Sequence, residues 1–177
     1  MFDLPLHPVV VHFPIVLGIL LPFVTFFAWW GIQKKGWSTR VWGAVVVMTL
    51  AYTLFAAGAV FLGEEDEERV EKVVSERVIE EHEEAGEAIP WIAGGLLVIA
   101  IAGYRFKNSH RARLGLAILS LAAIVPLANA GHTGGGLVYK YGAANAHLAP
   151  EYRVSIPLNK GVPVPEVLHK QDHDDRD

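Results

Sequence analysis

Four histidines stand where long apolar stretches begin or end: His7 and His12 near the start, His82 before the third stretch, and His132 after the fourth. Imidazole is a ligand for zinc, copper, iron and nickel, and it is the usual axial ligand of haem iron. The chain contains no cysteine, so neither a thiolate site nor a disulfide framework is available. Any metal must be held by histidine, carboxylate or other non-thiolate groups. Whether the four side chains meet depends on the elements that carry them.

His7 and His12 lead an apolar run over residues 6–30, and no charged residue lies between Asp3 and Lys34. A helix needs about 20 mostly apolar residues to cross a bilayer core, so this run reads as a first membrane span. A signal peptide is not expected, because residues 1–5 carry no positive charge and the run is too long. Trp29 and Trp30 suit the membrane–water interface at its far end. Pro14 and Pro22 remove backbone donors, which predicts kinks. Three more apolar runs follow, at 41–62, 89–104 and 114–130, with a further kink expected at Pro126. With 52% hydrophobic residues and a mean hydropathy of +0.32, the chain is too apolar for an ordinary soluble domain. The pattern predicts an all-α membrane protein: a four-helix transmembrane bundle over residues 1–142 and a polar periplasmic tail over 143–177.

Residues 64–87, between the second and third runs, hold twelve acids and three basic residues. Val70, Val74, Val78 and His82 recur at four-residue spacing, with Val73 and Ala85 beside them, so one face of a helix there is apolar. An acidic amphipathic helix over 64–87 is expected, with His82 turned inward and most glutamates turned out.

The connections after the first and third spans carry Lys34, Lys35 and Arg40, then Arg105, Lys107, Arg111 and Arg113, with no acid in either. Such loops belong on the cytoplasmic side. The protein is therefore expected in the inner (cytoplasmic) membrane as a multi-pass protein with both termini periplasmic. His7, His12, His82 and His132 would share the periplasmic end, and His110 would lie alone at the other. The lipid bilayer is the first partner, and no nucleic-acid partner is expected.

Helix bundles offer such ligands from facing helices. Gly131, Gly134 and Gly135, with Gly136, would let backbone approach a flat, bulky group closely. The surroundings are apolar or aromatic, and no Cys-x-x-Cys-His motif is present. These features favour non-covalently bound haem b and electron transfer, with a periplasmic cytochrome or a quinol as partner. His12 and His132 are expected as principal ligands because they lie at matching depth, followed by His82 and then His7. Five residues separate His7 from His12, about 140° around a helix, so the two should not reach one metal from the same side. Two haems therefore stay open.

The alternatives are zinc, copper or non-haem iron held by the same histidines with Glu83, and a structural subunit whose histidines are satisfied by backbone carbonyls. A di-iron centre is disfavoured, since its Glu-x-x-His pair is not repeated on a second helix. Each histidine has a plainer role open to it as well. His7 precedes Pro8 and could shape a turn, His82 could be solvated, and His132 could offset a helix C-terminal dipole.

Three stretches carry a family resemblance: HPVVVHFPIVL from His7, HEEAG from His82 and GHTGGGLVYKYG from Gly131. Over about residues 4–142 the chain resembles the bacterial membrane proteins of domain-of-unknown-function family 2231. The resemblance marks His7, Pro8, His12, Phe13, Pro14, His82, Glu83, Gly131, His132, Gly134, Gly135 and Tyr139 as motif positions. Related domains occur in large proteins with cytochrome c modules, which implies redox work. The long acidic run before His82 is less typical of the family.

Overall fold

The computed structural model describes residues 5–106 and 109–148, and among these it is helical with no strand. The first span is a short helix α1 (His7–Val10) running into α2 (His12–Lys34). The second is α3 (Trp42–Val70), entered through a 3-10 turn at Thr39–Val41, and the third is α4 (Glu76–Arg105). The fourth is built from α5 (His110–Ala122) and α6 (Ile124–Tyr139). Four helical stretches, 28 to 32 residues long, are apolar enough to cross a membrane.

Prolines explain where two spans break. The ring of a helical proline clashes with the carbonyl four residues earlier. For Pro14 that is Val10, where α1 ends; for Pro126 it is Ala122, where α5 ends. Pro22 and Pro90, by contrast, lie inside helices that continue through them. The helix is thus interrupted just before Pro14 and Pro126, where kinks are expected, whereas Pro22 does not end its helix.

The spans close into a ring in which α2 packs on α3 and α5, and α4 packs on α3, α5 and α6. Leu21, Trp42, Tyr52, Ala93, Leu96 and Leu116 fill the space between them. Phe23, Phe27, Val47, Leu54, Val98 and Val125 point outward, an apolar exterior that suits lipid rather than water.

The acidic segment is helical with its valine face turned inward, but it is not a separate helix. α3 carries on through Val70 and α4 begins at Glu76, so the acids sit on the two arms of a helical hairpin turning at 71–75. Ser75, in extended backbone, is where the chain re-enters helix. This explains the short third apolar run: the acidic arm supplies the rest of α4. Val74, Val78 and Ile79 are buried with Leu137 and Ala143, and Val70, Val73 and Tyr141 pack around them. This second, smaller core fastens the arms to the end of α6.

Two further boundaries differ from expectation. The fourth span does not stop near 130, because the glycine-rich stretch is helical as far as Tyr139. The body also extends past 142: a 3-10 turn at Ala143–His147 follows, and Ala143 is buried. The remainder of the expected tail, 149–177, lies outside the described residues.

Candidate functional site

The ends of the spans that carry the acidic arms bring two of the four histidines together. The rings of His7 and His82 lie with centroids 6.1 Å apart and planes at 81°. Both are half-buried. His7 occupies the first turn of α1, where the inward row of the first span begins: His7, Val11, Pro14, Gly18, Leu21, Thr25, Ala28 follow one another three or four residues apart. His82 occupies the corresponding row of α4, with Val78 before it and Ala85, Ile89 and Ala93 after it.

Each ring is oriented by a specific acceptor. Nδ1 of His7 lies 2.7 Å from the carbonyl oxygen of Ala59 on α3. A carbonyl can only accept, so Nδ1 carries the proton. Nδ1 of His82 lies 3.0 Å from the Thr133 hydroxyl, which itself donates to the Ala130 carbonyl at 3.1 Å. That hydroxyl has spent its proton, so it accepts from His82 and again Nδ1 is protonated. In a neutral imidazole the remaining nitrogen then holds the lone pair. In these tautomers Nε2 of each ring holds the lone pair, and the His82 ring also meets the Ala130 backbone.

Two glycines make this approach possible. A Cβ at Gly63 would come within 3.2 Å of the His7 ring, and one at Gly134 within 2.9 Å of the His82 ring. Gly131 and Gly135 are different, since a Cβ at either would meet nothing within 4 Å.

The arm bearing His82 and Glu83 lies beyond the apolar stretch of α4. Burial, and then the neighbouring His7, hold the His82 pKa below the usual imidazole value, opposed by the Ala130 backbone. Neutral His82 is therefore the favoured form at neutral pH. Glu83 is pushed up by burial first and by Glu67 second, with Glu87 and Glu64 adding to it.

The expected principal pair is not the pair the fold assembles. His12 and His132 are both exposed, and neither makes a side-chain hydrogen bond among the described residues. The geometry of the helix is the reason. His12 falls two residues before Pro14 and off the inward row, and His132 falls outside the row Leu127, Ala130, Gly134, Leu137. Among the described residues, no three His, Cys, Asp or Glu side chains are grouped to hold a metal ion. His110, at the other end, is exposed, and its Nδ1 accepts from Trp29 Nε1 at 3.1 Å.

Sequence reasoning missed Thr133, Gly63 and the Ala59 carbonyl. Thr133 carried a usable signal, since it directly precedes Gly134 on the inward side of α6. A backbone carbonyl such as that of Ala59 carries none.

Searches of curated proteins and of solved structures found no match. A family model described as "Predicted membrane protein (DUF2231)" matches residues 3–147. That range takes in all four spans, both arms and the histidine pair, and the chain belongs to this family of membrane proteins.

Proposed function

We propose that the protein binds haem b, which His7 and His82 would hold, and passes electrons at the membrane surface. The observation that carries this reading is the hydrogen bonding of the two rings: each imidazole is fixed through Nδ1 and holds its lone pair on Nε2. Ligating histidines are ordinarily oriented in this way, through the nitrogen that does not bind. Two protein ligands suffice for haem iron, whereas a structural zinc needs four and a catalytic zinc three. That difference favours haem over zinc, copper or non-haem iron with Glu83.

Bound haem would supply a one-electron couple. The chain's own part is to hold the rings, set their tautomers through Ala59 and Thr133, and surround the site with the valine core of the arms. The open space at Gly131 and Gly135 suits a flat group approaching α6. In the bilayer we orient the basic connections toward the cytoplasm, which puts the histidine pair and both termini on the periplasmic side of the inner membrane. A periplasmic cytochrome or a quinol is then the electron partner.

The test is the visible spectrum of the purified protein after haem supplementation. Reduced α and β bands are expected for the wild type, and His7→Ala or His82→Ala should abolish or reshape them. His110→Ala should leave them unchanged. A colourless protein carrying stoichiometric zinc or copper would replace haem with a bare ion. Bands lost only on His12→Ala or His132→Ala would move the ligands to the exposed pair. Reporter fusions at Lys35 and in the 105–113 connection test the orientation, and a periplasmic signal at either reverses it.

A further inference from the structure

At the opposite ends of the spans, an apolar groove of about 230 Å³ opens between α2 and α3. Phe27, Trp37, Val41 and Ala44 form its walls, and the buried Val45 lies at its floor. Trp37 reaches it because the chain turns at Gly36, whose φ of 69° is left-handed, and lays the indole on Gly31. A Cβ at Gly31 would fall inside the Trp37 ring's contact distance, at 2.5 Å from Cδ2 and Cζ3. The groove is therefore a built feature of this turn rather than a gap between loosely packed helices.

The turn that carries Trp37 and Val41 is cationic. Lys34, Lys35 and Arg40 are all exposed on the same turn, and Lys35 Nζ stands 5.1 Å over the Trp30 ring. No residue from 4 to 63 is acidic, so nothing in this hairpin neutralises the three charges. Tryptophans mark the depth of lipid headgroups, and basic pockets between membrane helices are places where anionic headgroups are held. An apolar slot on the outer side of the bundle, beside a cationic turn at headgroup depth, matches one molecule with both properties.

We infer that this groove holds an acyl chain of an anionic phospholipid whose phosphate is held by Lys34, Lys35 and Arg40. The inference rests on the membrane spans alone and is independent of the histidine pair. Native mass spectrometry of the protein in mild detergent, with equimolar phosphatidylglycerol and phosphatidylcholine, tests it. Retained phosphatidylglycerol is expected, with a preference on the order of fivefold for each basic residue in contact. The exposed triple change Lys34→Gln, Lys35→Gln, Arg40→Gln should erase the preference without unfolding the bundle. Ala44→Trp, at an exposed wall position, should lower retention of both lipids by filling the slot. Equal retention of the two lipids by wild type, a preference that survives the triple change, or undiminished lipid on Ala44→Trp each overturns the inference. So does a dimer that Ala44→Trp converts to monomer with no lipid released, which would seat a second copy of this chain in the groove.

Discussion

The two ends of the bundle use the same device and leave it in different states. At the basic end, Gly103 lets Trp42 and Arg113 close on the backbone of α4: Trp42 Nε1 donates to the Ala100 carbonyl at 3.0 Å, and Arg113 Nε donates to Gly103 at 2.9 Å. Ser109 donates to the same Gly103 carbonyl at 2.7 Å, and the guanidinium lies over the Trp42 ring at 5.6 Å. Trp42 and Arg113 are sealed at 0% and 1% exposure. At the acidic end, Gly63 and Gly134 likewise admit rings, but those rings stay half-buried, each hydrogen-bonded through Nδ1. One end locks helices together, while the other holds side chains ready for something else. Arg113 is the exception within its own end, since Nη2 is the buried side-chain polar atom left without a partner among the described residues.

If the basic end is a lock, breaking it should cost more than any change near the histidines. Trp42→Ala leaves a cavity at a fully buried site and should lower stability by roughly 3–5 kcal/mol, measured as the shift in denaturant midpoint in detergent. A loss no larger than that of His82→Ala would show that the two ends do not differ in this way.

The second core predicts the next largest effect. Val74 is 4% exposed at the hairpin turn, while Glu71 beside it is exposed. Val74→Asp places a charge in an apolar contact and should detach the arms, read as faster hydrogen exchange or proteolysis near 71–78. Glu71→Gln should be close to neutral by the same assay. Equal protection in the two variants would mean that the arms are not held by Val74.

Gly134 and Gly131 give a sharper contrast within one helix. An added Cβ at Gly134 meets the His82 ring at 2.9 Å, and such overpacking costs about 1–3 kcal/mol. Gly131→Ala meets open space and should instead gain about 0.5–1 kcal/mol from restricting the helix backbone. Thermal midpoints moving in the same direction for both would remove the claim that Gly134 is shaped by His82.

These contrasts also mark what is legible in the sequence alone. The spans were legible because runs of about 20 apolar residues have few other stable uses, and the inward face of the acidic segment was legible from Val70, Val74 and Val78. The continuity of the arms with the spans was not, because acids in a row say nothing about where a helix is interrupted. The histidine pair was legible in part. Depth ranks His12 and His132 first, yet face decides contact in a helix, and the rows through Pro14 and Leu137 exclude both. His7 and His12 stand about 140° apart around a helix and so diverge, and the inward member is His7. The Ala59 carbonyl has no signature in the sequence, since every residue has one.

The smallest expected effect concerns a single hydroxyl. Thr133 links the two halves of the acidic end: it accepts from His82 Nδ1 and donates to Ala130. Thr133→Val keeps the shape and removes both hydrogen bonds, which should cost about 1 kcal/mol of stability. Thr133→Ser retains the hydroxyl and should recover most of that loss. If His82 is a ligand, the valine variant should also weaken its hold by roughly 10–100-fold, because nothing then fixes the tautomer with the lone pair on Nε2. A haem titration of the two variants reads this directly, beside the denaturation midpoint. A valine variant indistinguishable from wild type in both would mean that packing against Gly134 alone sets the ring. The acidic end would then be a second lock like the basic one, and the contrast between them would disappear.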